Sequence, residues 1–232
     1  MRHWAVAAAL LLAAPACADG LQITAATLAE PTARYDHAVL GDALDWGALR
    51  LTLSDGSQRL FRLPETRVFE DVTTRLVDAD GDGRVEVMVV ESDVAQGAAL
   101  TLWGPEGRIA RTDFIGQRHR WLAPVAVADL DGDGQPEIAY VDRPHLQRDL
   151  VVLHFDGAAF TERARLPGLT NHRITDTNIA GGLRACSDPP ALILDNADWT
   201  QAIAVTYAAG QLTATPIGPI RGPADLTRAT RC

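Results

Sequence analysis

The chain has 232 residues, a formal charge of −9 and three cysteines, enough for one domain or two small ones. Hydrophobic residues make up 47% and charged residues 22%, which excludes wholesale disorder. The acidic balance excludes a nucleic-acid binder, which needs a basic face for phosphates. The lack of any lysine excludes a Schiff-base or phosphate-loop lysine.

Residues 1–18 read as a secretory signal peptide. Arg2 and His3 give a basic start, Trp4 to Ala14 an apolar run too short to span a bilayer, and Ala16-Cys17-Ala18 a small-x-small cleavage pattern before Asp19. Cys17 opens a lipoprotein reading, although Ala14-Pro15-Ala16 makes a poor lipobox. No other apolar stretch approaches the ~18 residues of a transmembrane helix. Cleavage would leave Cys186 and Cys232, and an even pair in an exported protein predicts a Cys186–Cys232 disulfide. Such a bond would pin the tail, 219–232, back onto the body.

From residue 19 to 218 the chain repeats. Strand, glycine turn and strand follow one another at Leu51 to Leu63, Leu100 to Phe114, Val151 to Leu166 and Ala202 to Ile217. This is the hairpin pattern. The turn glycines are Gly56, Gly107, Gly157 and Gly210, in steps of 51, 50 and 53. Apolar strands ending in Asp42, Asp93, Asp142 and Asp195 keep the same register. The repeats run at about 21–64, 67–117, 122–168 and 171–217, each with about four short strands and no useful helical periodicity. One four-stranded sheet cannot bury both its faces, so the copies must stack. Radial stacking predicts an all-β fold, a β-propeller of about four four-stranded blades, whether complete, incomplete or atypical. A β-sandwich of the same hairpins is the alternative.

Two turns are strongly acidic. Asp78 to Glu86 reads DADGDGRVE and Asp129 to Glu137 reads DLDGDGQPE, 51 residues apart. Four carboxylates in nine residues repel unless a cation neutralises them, and Ca²⁺ takes six to eight hard oxygen ligands. Asp78, Asp80, Asp82 and Glu86 would supply side chains to one site, and Asp129, Asp131, Asp133 and Glu137 to a second. Arg84 and Gln135 would give only backbone carbonyls. Position 12 is Val89 or Tyr140 rather than the bidentate Glu of an EF-hand, and the flanks VEVMVV and EIAYV are strands. The matching turns of the first and fourth repeats lack the cluster. Ala26 to Thr32 offers only Glu30, and DTNIAGGLR, Asp176 to Arg184, carries Ala180 and Arg184 in place of ligands.

The two D-x-D-G-D-G-x-x-E loops, set between strands in VDADGDGRVEVMVV and ADLDGDGQPEIAYV, resemble the FG-GAP / VCBS repeat family, the calcium-loop blades of integrin α-subunit-like propellers. The likeness is carried by the second and third repeats; the first and fourth match only in spacing. It implies Ca²⁺ sites joining adjacent strands of a blade and an ancillary or adhesive role in an exported protein. The ninth position is Glu where integrins have Asp, and the phenylalanine-glycine and Gly-Ala-Pro elements are missing.

Catalytic motifs such as G-x-S-x-G, H-E-x-x-H and C-x-x-C do not occur. His37, His119, His145, His154 and His172 show no zinc-ligand spacing. His154 reads as a packed or rim residue, and Asn171-His172 as structural. The strand-end aspartates read as a repeated turn cap rather than a carboxylate ring. The sequence thus predicts a calcium-binding, periplasmic or secreted repeat protein that binds a protein or glycan without catalysis. The alternative is a metal-assisted hydrolase or lyase with its site in the propeller channel.

Overall fold

The computed structural model describes residues 20–41, 44–174 and 176–232. The signal-peptide segment, Cys17 and Asp42 lie outside them. Among the described residues, seventeen strands and one short helix form. No helix among the described residues is long and apolar enough to cross a membrane.

The first repeat gives β1 (Ile23–Thr32), β2 (Asp45–Leu53) and β3 (Gln58–Arg62). The second gives β4 (Arg67–Phe69), β5 (Arg75–Val77), β6 (Glu86–Asp93), β7 (Gly97–Gly104) and β8 (Gly107–Arg111). The third gives β9 (Leu122–Ala128), β10 (Glu137–Asp142), β11 (Asp149–Phe155) and β12 (Phe160–Pro167). The fourth gives β13 (Leu169–Thr170), β14 (Gly182–Arg184), β15 (Ala191–Asn196), β16 (Gln201–Ala208) and β17 (Gln211–Pro219), followed by α1 (Pro223–Ala229). All four glycine hairpins form, as β2–β3, β7–β8, β11–β12 and β16–β17.

Four separate four-stranded sheets do not. Only the third repeat matches that count; the first two share one eight-stranded sheet, and the fourth has five strands. The merger is local. β4 pairs Phe69 with Trp46 of β2 and Arg67 to Phe69 with Glu91 to Asp93 of β6. Every pairing is antiparallel.

The central strands are apolar on both faces, so each serves two cores. Val87 and Val89 of β6 join Leu49, Leu51 and Leu53 in a first apolar layer. Met88 and Val90 join Ile138, Tyr140, Val151 and Leu153 in a second. Ala139, Val141, Leu150 and Val152 join Leu192, Leu194, Ile203 and Val205 in a third. Each fully buried aliphatic side chain stabilises the fold by about 1.5–3 kcal/mol. The segment that follows β1 reaches across and seats Val39 and Leu40 in the second layer.

The outer faces are finished differently. On β15 and β16, Ala191, Ile193, Ala202 and Ala204 turn away from the third layer and take Leu226 of α1. The Cys186–Cys232 disulfide forms and holds the chain just after this helix. At the other end Arg50 is exposed, and a Glu30–Arg62 ion pair lies on the face of β1–β3 turned away from the leucines. No substantial packing joins β1–β3 to β14–β17. The three sheets therefore stack in series with covered or polar ends.

Candidate metal centre

β6 and β10 both begin with the glutamate that closes an acidic loop, so the two loops lie at the same end of neighbouring sheets. Their internal bonds match at most positions, the Asp133 amide alone making an added bond to Asp129. Asp78 accepts from the amides of Gly81 (2.8 Å) and Gly83 (3.0 Å), and Asp129 from those of Gly132 (2.8 Å) and Gly134 (3.0 Å). Gly83 and Gly134 sit at φ 81° and 88°, a left-handed turn that an L side chain resists. Glu86 accepts from the Ala79 amide at 2.9 Å, and Glu137 from the Leu130 amide at 2.8 Å. The bonds wind each loop so that its first, third and ninth residues converge. Oxygens of Asp78, Asp80 and Glu86 lie within 4.8 Å of one another, and so do those of Asp129, Asp131 and Glu137.

Asp82 and Asp133 stand outside these trios. Asp82 accepts from the Arg84 amide and Asp133 from the Gln135 amide, each at 2.7 Å. Arg84 also sets its Nε 3.9 Å from Asp82.

Electrostatics tie the trios together. Burial pushes Glu86 up to about 7, helped by Asp80, Asp82 and Asp78. Burial and Asp131, Asp133 and Asp129 do the same to Glu137, also to about 7. A cation would reverse both shifts. The donors are all carboxylate oxygens, a set that suits hard divalent ions and not soft ones. The residues present therefore fit a calcium-type ion.

Each loop also touches the following unit. A Cβ built on Gly157, in the β11–β12 turn, would stand 3.4 Å from Asp80. Tyr207 of β16 has its hydroxyl pKa raised by burial and then by Glu137 and Asp131. The two loops abut as well, because a Cβ on Gly81 would stand 3.3 Å from Pro136.

A second cluster forms at the opposite end of the strands. His37 lies 2.6 Å from Glu70, and His119 lies 2.8 Å from Asp36. The two rings stack with centroids 5.0 Å apart. His145 meets His172 at 3.0 Å, and both pack on Trp121. The carbonyl of Asp176, 2.8 Å from His172 Nε2, can only accept. We therefore assign the proton of His172 to Nε2, which leaves its Nδ1 to accept from His145. Burial and the neighbouring His172 hold His145 down to about 4. These four histidines come from three connectors and one hairpin turn. Sequence spacing could not bring them together; the signal available was that each falls outside a strand. His154 pairs across β11–β10 with Glu137.

The strand-end aspartates do not share one role. Asp93 caps a turn, accepting from Ala95 and Gln96. Asp142 instead pairs with Arg143 and Arg165. In the fourth unit the cap passes to Asn196, which accepts from Thr200 and Gln201.

A family model, the FG-GAP-like repeat, matches residues 78–140. The matched segment begins on the first acidic loop and ends in β10, so it contains both loops. Neither the curated proteins nor the solved structures give a match.

Proposed function

We propose that the protein is an exported, calcium-stabilised module that binds a partner without catalysis. The matched trios of Asp78, Asp80 and Glu86 and of Asp129, Asp131 and Glu137 carry this reading, with the FG-GAP-like repeat around them. On this reading each trio holds one Ca²⁺. Asp82, Asp133 and the carbonyls of Arg84 and Gln135 complete the two shells. The four units at about 21–64, 67–117, 122–168 and 171–217 act as propeller-type blades in an open series. Export to the periplasm or the medium fits the apolar N-terminal segment and the Cys186–Cys232 bond.

The ion supplies positive charge to groups that otherwise repel. The chain supplies the rest: glycine turns preset the loops, the Ala79 and Leu130 amides orient the glutamates, and Gly157 and Tyr207 bring the next unit against each loop. Bound ions would lock neighbouring units in register.

Thermal unfolding in EDTA and across a calcium titration tests this. At free calcium of ~100 Kd, each site adds roughly 2.7 kcal/mol. A rise not matched by magnesium is expected, and Asp80→Ala or Asp131→Ala should each remove part of it. A melting temperature indifferent to calcium in the parent protein defeats the reading.

A further inference from the structure

The face remote from the acidic loops carries arginines as well as acids. A small cleft opens between the connector carrying His37, the connector carrying His119 and Arg120, and the β10–β11 turn carrying Arg143, His145 and Leu146. It has room for about 20 Å³, one water-sized group. Around it the chain carries arginines with no carboxylate at ion-pair distance among the described residues, although its net charge is −9. Arg120 bonds only the His119 carbonyl, Arg148 bonds the Ala197 carbonyl, and Arg173 stacks on Trp199 at 4.6 Å. Arg118 and Arg143, by contrast, are paired with Asp36 and Asp142.

The rim is rigid. Arg143 donates its amide to the Trp121 carbonyl and Arg148 to the Arg143 carbonyl, while Ala98 donates to the Arg120 carbonyl. Ala38, His119, Arg143 and Arg148 all hold positive φ between 46° and 59° without being glycine. Non-glycine residues kept in that region cost of order 1–3 kcal/mol and gather where a binding surface is preset. The most exposed large apolar side chains flank the same rim, Leu146 at 61% and Ile174 at 62%.

We propose that this face docks an acidic protein segment. One carboxylate sits at the mouth of the cleft beside Arg120, others meet Arg148 and Arg173, and apolar side chains of the partner cover Leu146 and Ile174. Charge complementarity selects the partner and a rigid frame lowers the ordering cost. A sugar ring would need an open aromatic face, but Trp121 is 2% exposed and Arg173 occupies the face of Trp199. The inference rests on the binding-module reading and not on calcium.

The test is fluorescence anisotropy of the intact protein, in calcium and in EDTA, with a labelled peptide of repeated Glu-Glu-Leu and its Gln-Gln-Leu counterpart. Saturable binding of the glutamate peptide alone, weakened by added salt, is expected. Arg120→Ala, Arg173→Ala and the exposed Leu146→Asp should each weaken it about threefold to fivefold, the range of an exposed charge pair. Arg221→Ala, beside α1, should leave it unchanged. Equal binding of both peptides, parent-like affinity in Arg173→Ala and Leu146→Asp, or tighter competition by polygalacturonate than by the peptide would overturn the proposal. Binding that persists while calcium fails to stabilise the fold would defeat only the calcium reading.

Discussion

Asp195 shows how far a residue's surroundings can part from its register. It closes an apolar strand as Asp93 and Asp142 do, yet it is 1% exposed and one of its carboxylate oxygens has no partner. Burial pushes its pKa up to about 7, with Arg173 opposing. A carboxyl raised above its ordinary value favours the folded state while protonated. That contribution is complete below about pH 4 and fades as the pH rises to about 7. Asp195→Asn removes the titration while keeping the shape. It should flatten the fall in stability between pH 5 and pH 8 and gain about 1–3 kcal/mol at pH 8. Urea unfolding at the two pH values measures this; a variant with the parent's pH slope would refute the assignment. Periodicity alone made all the strand-end aspartates turn caps. Only the neighbours separate their roles: Arg143 and Arg165 take Asp142, and Asn196 takes over the cap beside Asp195.

At the scale of elements, hairpins were legible and the covering helix was not. Two-residue alternation around Gly56, Gly107, Gly157 and Gly210 marks strands wherever it occurs, because a glycine turn fixes the pairing of its flanks. α1 has seven residues and one buried apolar side chain, too little for a helical period to stand out in the tail. Its role follows from β15, where Ala191 and Ile193 face away from the third layer and need a cover. The merger of the first two sheets was equally hidden, since it rests on the three residues of β4 that pair with β6, of which Phe69 also pairs with β2. Leu226 is fully buried against that outer face, so Leu226→Ala should cost about 2–5 kcal/mol. The loss should appear in chemical unfolding with the Cys186–Cys232 bond intact. Unchanged stability would mean the helix only rests on the sheet.

Across the whole molecule, the apolar layers and the acidic loops couple the same units. The second and third units share the second layer, and their loops abut through Gly81 and Pro136. The ligand types were plain in the sequence, but the contact between loops and the separation of Asp82 and Asp133 from the trios depend on how sheets stack. Two sites this close should not act independently. An ion at Asp78, Asp80 and Glu86 would fix the loop that supports Pro136, and with it the backbone beside Asp131 and Asp133. Losing that ion loosens the second loop, so losing the second ion afterwards removes less. In saturating calcium the double variant Asp80→Ala, Asp131→Ala should therefore cost less than the two single losses together, by about 0.5–3 kcal/mol. A double-mutant cycle of unfolding free energies reads this directly, with the same cycle in EDTA as reference. Coupling present in calcium and absent in EDTA would place it in the ions, and coupling equal in both would place it in the packing of the loops. Additivity within about 0.5 kcal/mol under both conditions would show that each loop stabilises only its own unit.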